Sequence, residues 1–231
     1  MNNLTAAVVG AGLAGCEAAL QLANRGVRVT LFEMKPQKKS PAHKIDGFAE
    51  LVCSNSLKAE RISSAGGLLK AEMAELSSVC VETAYKCAVP AGGALAVNRE
   101  EFSRIITEKI CSNPNIEVVS RELCEIPKGP CIIATGPLTS DGLSAAISEF
   151  FGMEHLSFYD AAAPIVTGES IDMESAFAAS RYDRGDDDYI NCPMNKEQYE
   201  AFYEALITAE GAALHEFDKP TVYEGCMPIE I

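Results

Sequence analysis

No run of apolar residues in this 231-residue chain is long enough to cross a bilayer. The N-terminus also lacks the basic-then-apolar pattern of a secretory signal. The nine cysteines are dispersed and odd in number, with no C-x-x-C pair, which argues against an oxidised disulfide scaffold. His43, His155 and His215 show no spacing suited to a metal site. Internal repeats and low-complexity tracts are absent. These absences leave a globular protein with reduced thiols, expected in the cytoplasm, with no membrane segment and no metal.

Basic residues are scarce in one half only. Residues 1–140 hold 15 Lys and Arg against 14 Asp and Glu, whereas residues 141–231 hold 4 against 19. That shift predicts a domain boundary near residue 150, with domains at 1–150 and 151–231. Any polyanion is expected to approach the first half. Lys35, Lys38, Lys39 and Lys44 lie in a stretch without an acid, and read either as a solvated loop or as a phosphate contact.

What is present is organised around residues 6–33. Ala6 to Val9 is a short apolar run, the pattern of a strand buried on both faces. Gly10-Ala11-Gly12-Leu13-Ala14-Gly15 follows as G-x-G-x-x-G. Cys16 to Asn24 reads as a helix stopped by Gly26, and Val27 to Phe32 as a second strand. Glu33 stands at the end of that strand, 18 residues beyond Gly15. The first glycine permits a tight turn, the second admits a pyrophosphate, and the third lets helix and strand pack closely. The helix start offers N–H groups to phosphate, and a carboxylate at Glu33 can accept ribose hydroxyls. Strand, helix, second strand and acid in register predict dinucleotide binding, with FAD or NAD favoured over a 2′-phosphorylated cofactor.

Further along, Ala65 to Lys86 reads as one helix, with Leu69, Met73 and Leu76 at helical spacing. Ala94 to Val97 is a strand, and Asn98 with Glu101 caps a helix carrying Phe102, Ile105, Ile106 and Ile110. Ile116–Val119 and Cys131–Ala134 are strands, the latter ending in Thr135-Gly136, where backbone can pass close to a cofactor. Alternating strands and helices predict a doubly wound, Rossmann-like α/β sheet. Beyond it come a helix to Phe151, a strand near Pro164–Val166, a solvated acidic loop at 181–188, and a strand from Tyr189. Asn195 and Gln198 cap a last helix with a buried stripe at Tyr199, Phe202, Leu206 and Ala209. Cys80, Cys87, Cys111, Cys124 and Cys131 read as core fillers.

Several stretches converge on one family. They are Val9 to Glu17, Phe32 to Pro36, Leu51 to Leu57, Leu68 to Met73, Pro90 to Arg99, Ala134 to Leu138, Tyr189 to Met194 and Tyr223 to Glu230. In these the chain resembles the bacterial folate- and FAD-dependent tRNA (uracil-5-)-methyltransferases, cousins of the GidA-like tRNA-modifying flavoproteins. The pieces Asn191-Cys192-Pro193-Met194 and Tyr223 to Glu230 are more specific than the glycine turn. Members of that family are longer, so the chain reads as an N-terminal part. It would hold a Rossmann-like FAD-binding fold of the GidA or glutathione-reductase kind and the start of an inserted α+β domain.

The resemblance implies methylation of uridine carbon 5 in the T-loop of tRNA. Methylenetetrahydrofolate would be the carbon donor, FAD the flavin and NAD(P)H the reductant. It implies Cys226 as the nucleophile on uracil carbon 6, since thiolate addition there enriches carbon 5 in electrons. Cys53 would be a second thiol, handling the carbon-5 proton or the flavin-bound carbon. The cofactor residues would be Gly10, Ala11, Gly12, Leu13, Ala14, Gly15, Glu33 and Gly136. Two other readings remain open: a GidA-like flavoprotein making another uridine modification, and an inactive nucleotide-binding fragment.

Overall fold

Two residues of the first strand point to opposite cores, and this arrangement organises the fold. The computed structural model describes residues 4–40, 42–52, 54–152, 166–180 and 186–210. Strand β1 (Thr5–Val9) leads into α1 (Leu13–Asn24) and β2 (Arg28–Glu33). Then follow β3 (Ser56–Ala59), α2 (Ala65–Glu75), α3 (Val79–Lys86), β4 (Ala88–Val89), β5 (Ala94–Val97), α4 (Arg99–Cys111), β6 (Ile116–Ser120) and β7 (Cys131–Ile133). The described part closes with α5 (Asp141–Phe151), β8 (Phe177–Ala179), β9 (Tyr189–Asn191) and α6 (Lys196–Ile207).

The main sheet has the order β6-β2-β1-β7, with every pairing parallel. Val8 joins Leu31, Ala19, Phe102, Ile106 and Ile110 in the larger core, against α1 and α4. Val9 faces the other way and packs with Leu123 and Leu143, the latter from α5. Helices on both faces explain why β1 is apolar from Ala6 to Val9 rather than alternating. This is the expected Rossmann-like α/β layer.

Strands β3-β5-β4 form a small antiparallel sheet, and β8-β9 an antiparallel hairpin. Strands β3, β4 and β8 leave no signal in the sequence. Each has no more than four residues, too few for a period-2 pattern to emerge.

Several expectations need correction. The first helix begins at Leu13 rather than Cys16, because Gly12 is its N-cap and the last glycine of the motif already lies in the first turn. The helix expected over 65–86 is two helices. Ser77 takes a left-handed φ of 61°, and the Ser78 hydroxyl then caps α3 by accepting the Val81 N–H. On α2 the spacing of Leu69 and Leu76 does not mark a buried stripe. Both are more than half exposed, and the buried side of α2 carries Gly67 and Lys70. On α6 the Asn195–Gln198 capping box forms as expected, yet Tyr199 and Phe202 are exposed in this chain. Of the five cysteines expected in the core, Cys80 and Cys87 are buried, Cys131 is half-buried, and Cys111 and Cys124 are exposed. The strand expected near Pro164–Val166 falls largely outside the described residues.

Glu17 ties α1 to α3. Its carboxylate accepts the Ser78 hydroxyl at 2.8 Å and the N–H groups of Val79 and Cys80 at 3.1 and 2.8 Å. Burial pushes this carboxyl up, but the Cys80 N–H, the Gln21 amide and the Ser78 hydroxyl outweigh it and hold it below its ordinary 4.5. A depressed carboxyl stabilises the fold above its unfolded value, and that contribution is lost as pH falls through the folded value. Glu17→Gln is expected to cost about 1 kcal/mol at neutral pH. Its deficit against the parent should shrink in urea melts as pH drops below 4.5. A deficit constant with pH would exclude an ionised cap.

Candidate functional site

The glycine turn sits at the carboxyl ends of the parallel strands, where α/β sheets bind their ligands. The Gly10 N–H donates to the Phe32 carbonyl at 2.8 Å, and the Ala134 N–H donates to the Val9 carbonyl at 2.8 Å. These bonds bring the ends of β1, β2 and β7 to one cleft of about 240 Å³. Its wall includes Gly10 to Ala14, Glu33, His43, Arg121 and Thr135-Gly136.

The glycines have different reasons to be glycine. Gly10 has φ of +94°, and a Cβ there would lie 2.9 Å from the Ala134 carbonyl oxygen. A Cβ on Gly15 would run into the carbonyl oxygen of Gly10. Gly12 differs from both. Its backbone is extended (φ −73°, ψ −172°), open to any residue, and a Cβ would meet no protein atom within 4 Å. No side chain caps α1 at Gly12 either. The first-turn N–H groups of α1 therefore stand at the cleft with no side-chain cap, and a Cβ at Gly12 would project into open space beside them. That cradle fits a pyrophosphate. Gly136, with φ of +62°, turns the chain where it lines the same cleft.

Glu33 is buried at 7% exposure, and both of its oxygens are engaged. One accepts the Ala11 N–H at 2.8 Å and the other the Lys35 N–H at 2.9 Å. Each carboxylate oxygen keeps a second lone pair, so a ribose hydroxyl can still be accepted. The acid expected to meet a ligand thus also pins the glycine turn to the end of β2.

Residues 42–50 form a wall beside the glycine turn that has no local sequence signature. The Ala49 N–H donates to the Ala11 carbonyl at 2.8 Å. Lys35 is 2% exposed; its ammonium donates to the Gly47 carbonyl and lies 3.7 Å from the Glu50 carboxylate. Glu50 in turn accepts the Lys44 and Ile45 N–H groups at 2.9 and 3.3 Å. Lys38 pairs with Glu122 at 2.8 Å and Lys39 with Asp46 at 2.7 Å. Of the four lysines considered for phosphate contact, one is therefore buried and two are matched by carboxylates. The loop is neither freely solvated nor an open basic patch. Its signal was invisible locally, because Glu50 lies 15 residues from Lys35.

The acidic loop also has partners. Asp188 accepts the Gly92 N–H at 2.7 Å, and Asp187 accepts the Ser180 N–H at 3.1 Å. The Tyr189 hydroxyl donates to the Ala91 carbonyl at 2.7 Å, so the 90–93 turn meets the β9 strand. Cys53 and Cys226, the two candidate thiols, lie outside the described residues. No helix among the described residues is long and apolar enough to cross a membrane.

Parallel sheet, helices on both faces and a glycine turn over the strand ends define a Rossmann-like α/β protein. The family model "Glucose inhibited division protein A" matches residues 5–231. The chain belongs to that family. A methylenetetrahydrofolate--tRNA-(uracil-5-)-methyltransferase TrmFO from Acetivibrio thermocellus is 59% identical over 96% of this chain and 51% of its own length. The protein of the same name from Bacillus subtilis is 54% identical over 100% of this chain and 53% of its own length. The chain spans about half the length of the curated relatives it matches. The crystal structure of p-nitrophenol 4-monooxygenase PnpA from Pseudomonas putida overlaps 55% of this chain and 34% of its own, at 19% identity and a TM-score of 0.35.

Proposed function

We propose that this chain forms the cofactor-binding part of a folate- and FAD-dependent enzyme that methylates carbon 5 of a tRNA uridine. The reading is carried by relatives of that name at 54–59% identity along nearly all of the chain. The open space at Gly12, which neither backbone strain nor a protein neighbour explains, supports the cofactor part of it. FAD would lie with its pyrophosphate at Gly10 to Gly15, a ribose at Glu33 and its flavin side toward Gly136. Residues 1–150 would form this domain and 151–231 the start of a second; β8 and β9 pair only with each other among the described residues. The protein would act in the cytoplasm on the T-loop of tRNA.

Bound flavin would supply the redox chemistry that turns the one-carbon unit of methylenetetrahydrofolate into a methyl group, with NAD(P)H as the electron source. The chain's residues do the rest. The first turn of α1 receives the pyrophosphate charge, and Glu33 orients the ribose. The Cys226 thiolate adds to carbon 6 of the uracil, making carbon 5 the nucleophile. Once carbon 5 is alkylated, Cys53 takes its proton, the carbon-6 to sulfur bond breaks, and the thiolate is restored.

The test has two arms. Purified chain reconstituted with FAD should retain a flavin absorption spectrum after desalting. Single-turnover mixtures with tRNA, methylenetetrahydrofolate and NAD(P)H should yield 5-methyluridine in the T-loop when the active enzyme is used. Failure to hold flavin removes the cofactor site, and methylation at another uridine removes the substrate assignment.

A further inference from the structure

The 35–50 loop does more than buttress the glycine turn, because it delivers a histidine to the same cleft. His43 is half-buried and lines the cleft together with Gly10 to Ala14 and Glu33. Ser40 lies 2.8 Å from its Nδ1. The Ser40 hydroxyl oxygen also accepts the Ala42 N–H at 3.3 Å, and its own proton is free to go to Nδ1. With Ser40 as donor to Nδ1, the neutral ring carries its proton on Nε2. Among the described residues only Ser40 meets the ring by a hydrogen bond.

The backbone around His43 is held from both sides. Its own N–H donates to the Ser40 carbonyl at 3.2 Å. The next two N–H groups, of Lys44 and Ile45, go to the Glu50 carboxylate, which the Lys35 ammonium anchors. A ring fixed by Ser40 on a loop fixed by Glu50 has little conformational freedom left to lose on binding. The charged groups facing it are Lys35, Glu50, Glu33 and Lys39. Burial first, and the Lys35 charge second, push the imidazole below its ordinary 6.5, against Glu50 and Glu33. The ring is neutral at physiological pH and offers a donor without adding charge.

We infer that His43 is a nucleotide-binding residue of this cleft, its Nε2–H donating to an oxygen of the adenosine diphosphate half of the dinucleotide. Phosphate and ribose oxygens are the acceptors such a ligand presents between the glycine turn and Glu33. The inference rests on the cofactor reading above, and it adds a third contact to the helix N-terminus and the carboxylate. It assigns no part in the chemistry to His43.

The experiment is a titration of the apo chain with FAD and, separately, with ADP, for the parent, His43→Leu and His43→Gln. His43→Leu should weaken FAD and ADP by the same factor, about five- to tenfold, as the loss of one neutral hydrogen bond does. His43→Gln keeps an amide donor and should bind both within about twofold of the parent. Melting temperatures of all three should agree. If His43→Leu binds both ligands like the parent, or weakens FAD but not ADP, the contact does not exist. If His43→Gln is as weak as His43→Leu with a lowered melting temperature, the histidine serves only the loop. A parent that binds neither ligand overturns the cofactor reading itself, and this inference with it.

Discussion

Gly12→Val is expected to fold like the parent and to lose FAD, whereas Gly15→Val is expected to fail at folding. The contrast follows from what each Cβ would meet. At Gly12 the backbone is extended and the space within 4 Å is empty, so the protein alone tolerates a side chain. The added methyl groups would instead fill the volume beside the α1 N-terminus, where a pyrophosphate must approach backbone N–H groups. At Gly15 the added carbon is directed into the Gly10 carbonyl, a backbone atom that cannot rotate away. Relief would require separating α1 from β1, at a cost of about 3 kcal/mol or more. Thermal melts and flavin content after desalting read both outcomes. Gly12→Val retaining the parent's FAD content would show that this turn does not hold the cofactor. Gly15→Val melting with the parent would mean that the helix and strand are not packed as described.

Cys226→Ala is expected to abolish methylation and, with it, a covalent complex with RNA. A thiolate that has added to carbon 6 leaves only after carbon 5 gives up a proton. T-loop RNA carrying 5-fluorouridine should therefore trap the active enzyme as a stable adduct, because fluorine cannot depart as a cation. Cys226→Ala should show no adduct and still hold FAD, since the glycine turn is remote in sequence. Cys53→Ala should lose methylation and keep the adduct, if its thiol acts after addition. An adduct that survives in Cys226→Ala and vanishes in Cys53→Ala would exchange the two roles. Normal methylation by both variants would dismiss the thiol mechanism. Gel shift under denaturing conditions separates these results.

Cys16 and Cys80 illustrate why thiol counting could not choose among nine cysteines. Both are buried, Cys16 on α1 and Cys80 on α3, and burial pushes the Cys16 thiol up to about 12 and raises Cys80 strongly as well. Neither is a thiolate near neutral pH, so neither is a nucleophile in this fold.

The sequence by itself determined the elements whose causes are local. The apolar run Ala6 to Val9, a G-x-G-x-x-G turn, the Gly26 stop with φ of +80° and the Asn98 cap of α4 each need only neighbours in the chain. Their order was enough to specify a parallel sheet covered on both faces, and the turn with Glu33 marked where a cleft would open at the strand ends. Tertiary structure decided what depended on distant partners. Glu33 became a clamp on the Ala11 N–H because the end of β2 meets the glycine turn. Lys35 left the basic stretch for the interior because Glu50 and the Gly47 carbonyl waited there. The lysine spacing was the same in either case, and only the carboxylates brought up from positions 46, 50 and 122 distinguished a phosphate-binding loop from the wall that carries His43.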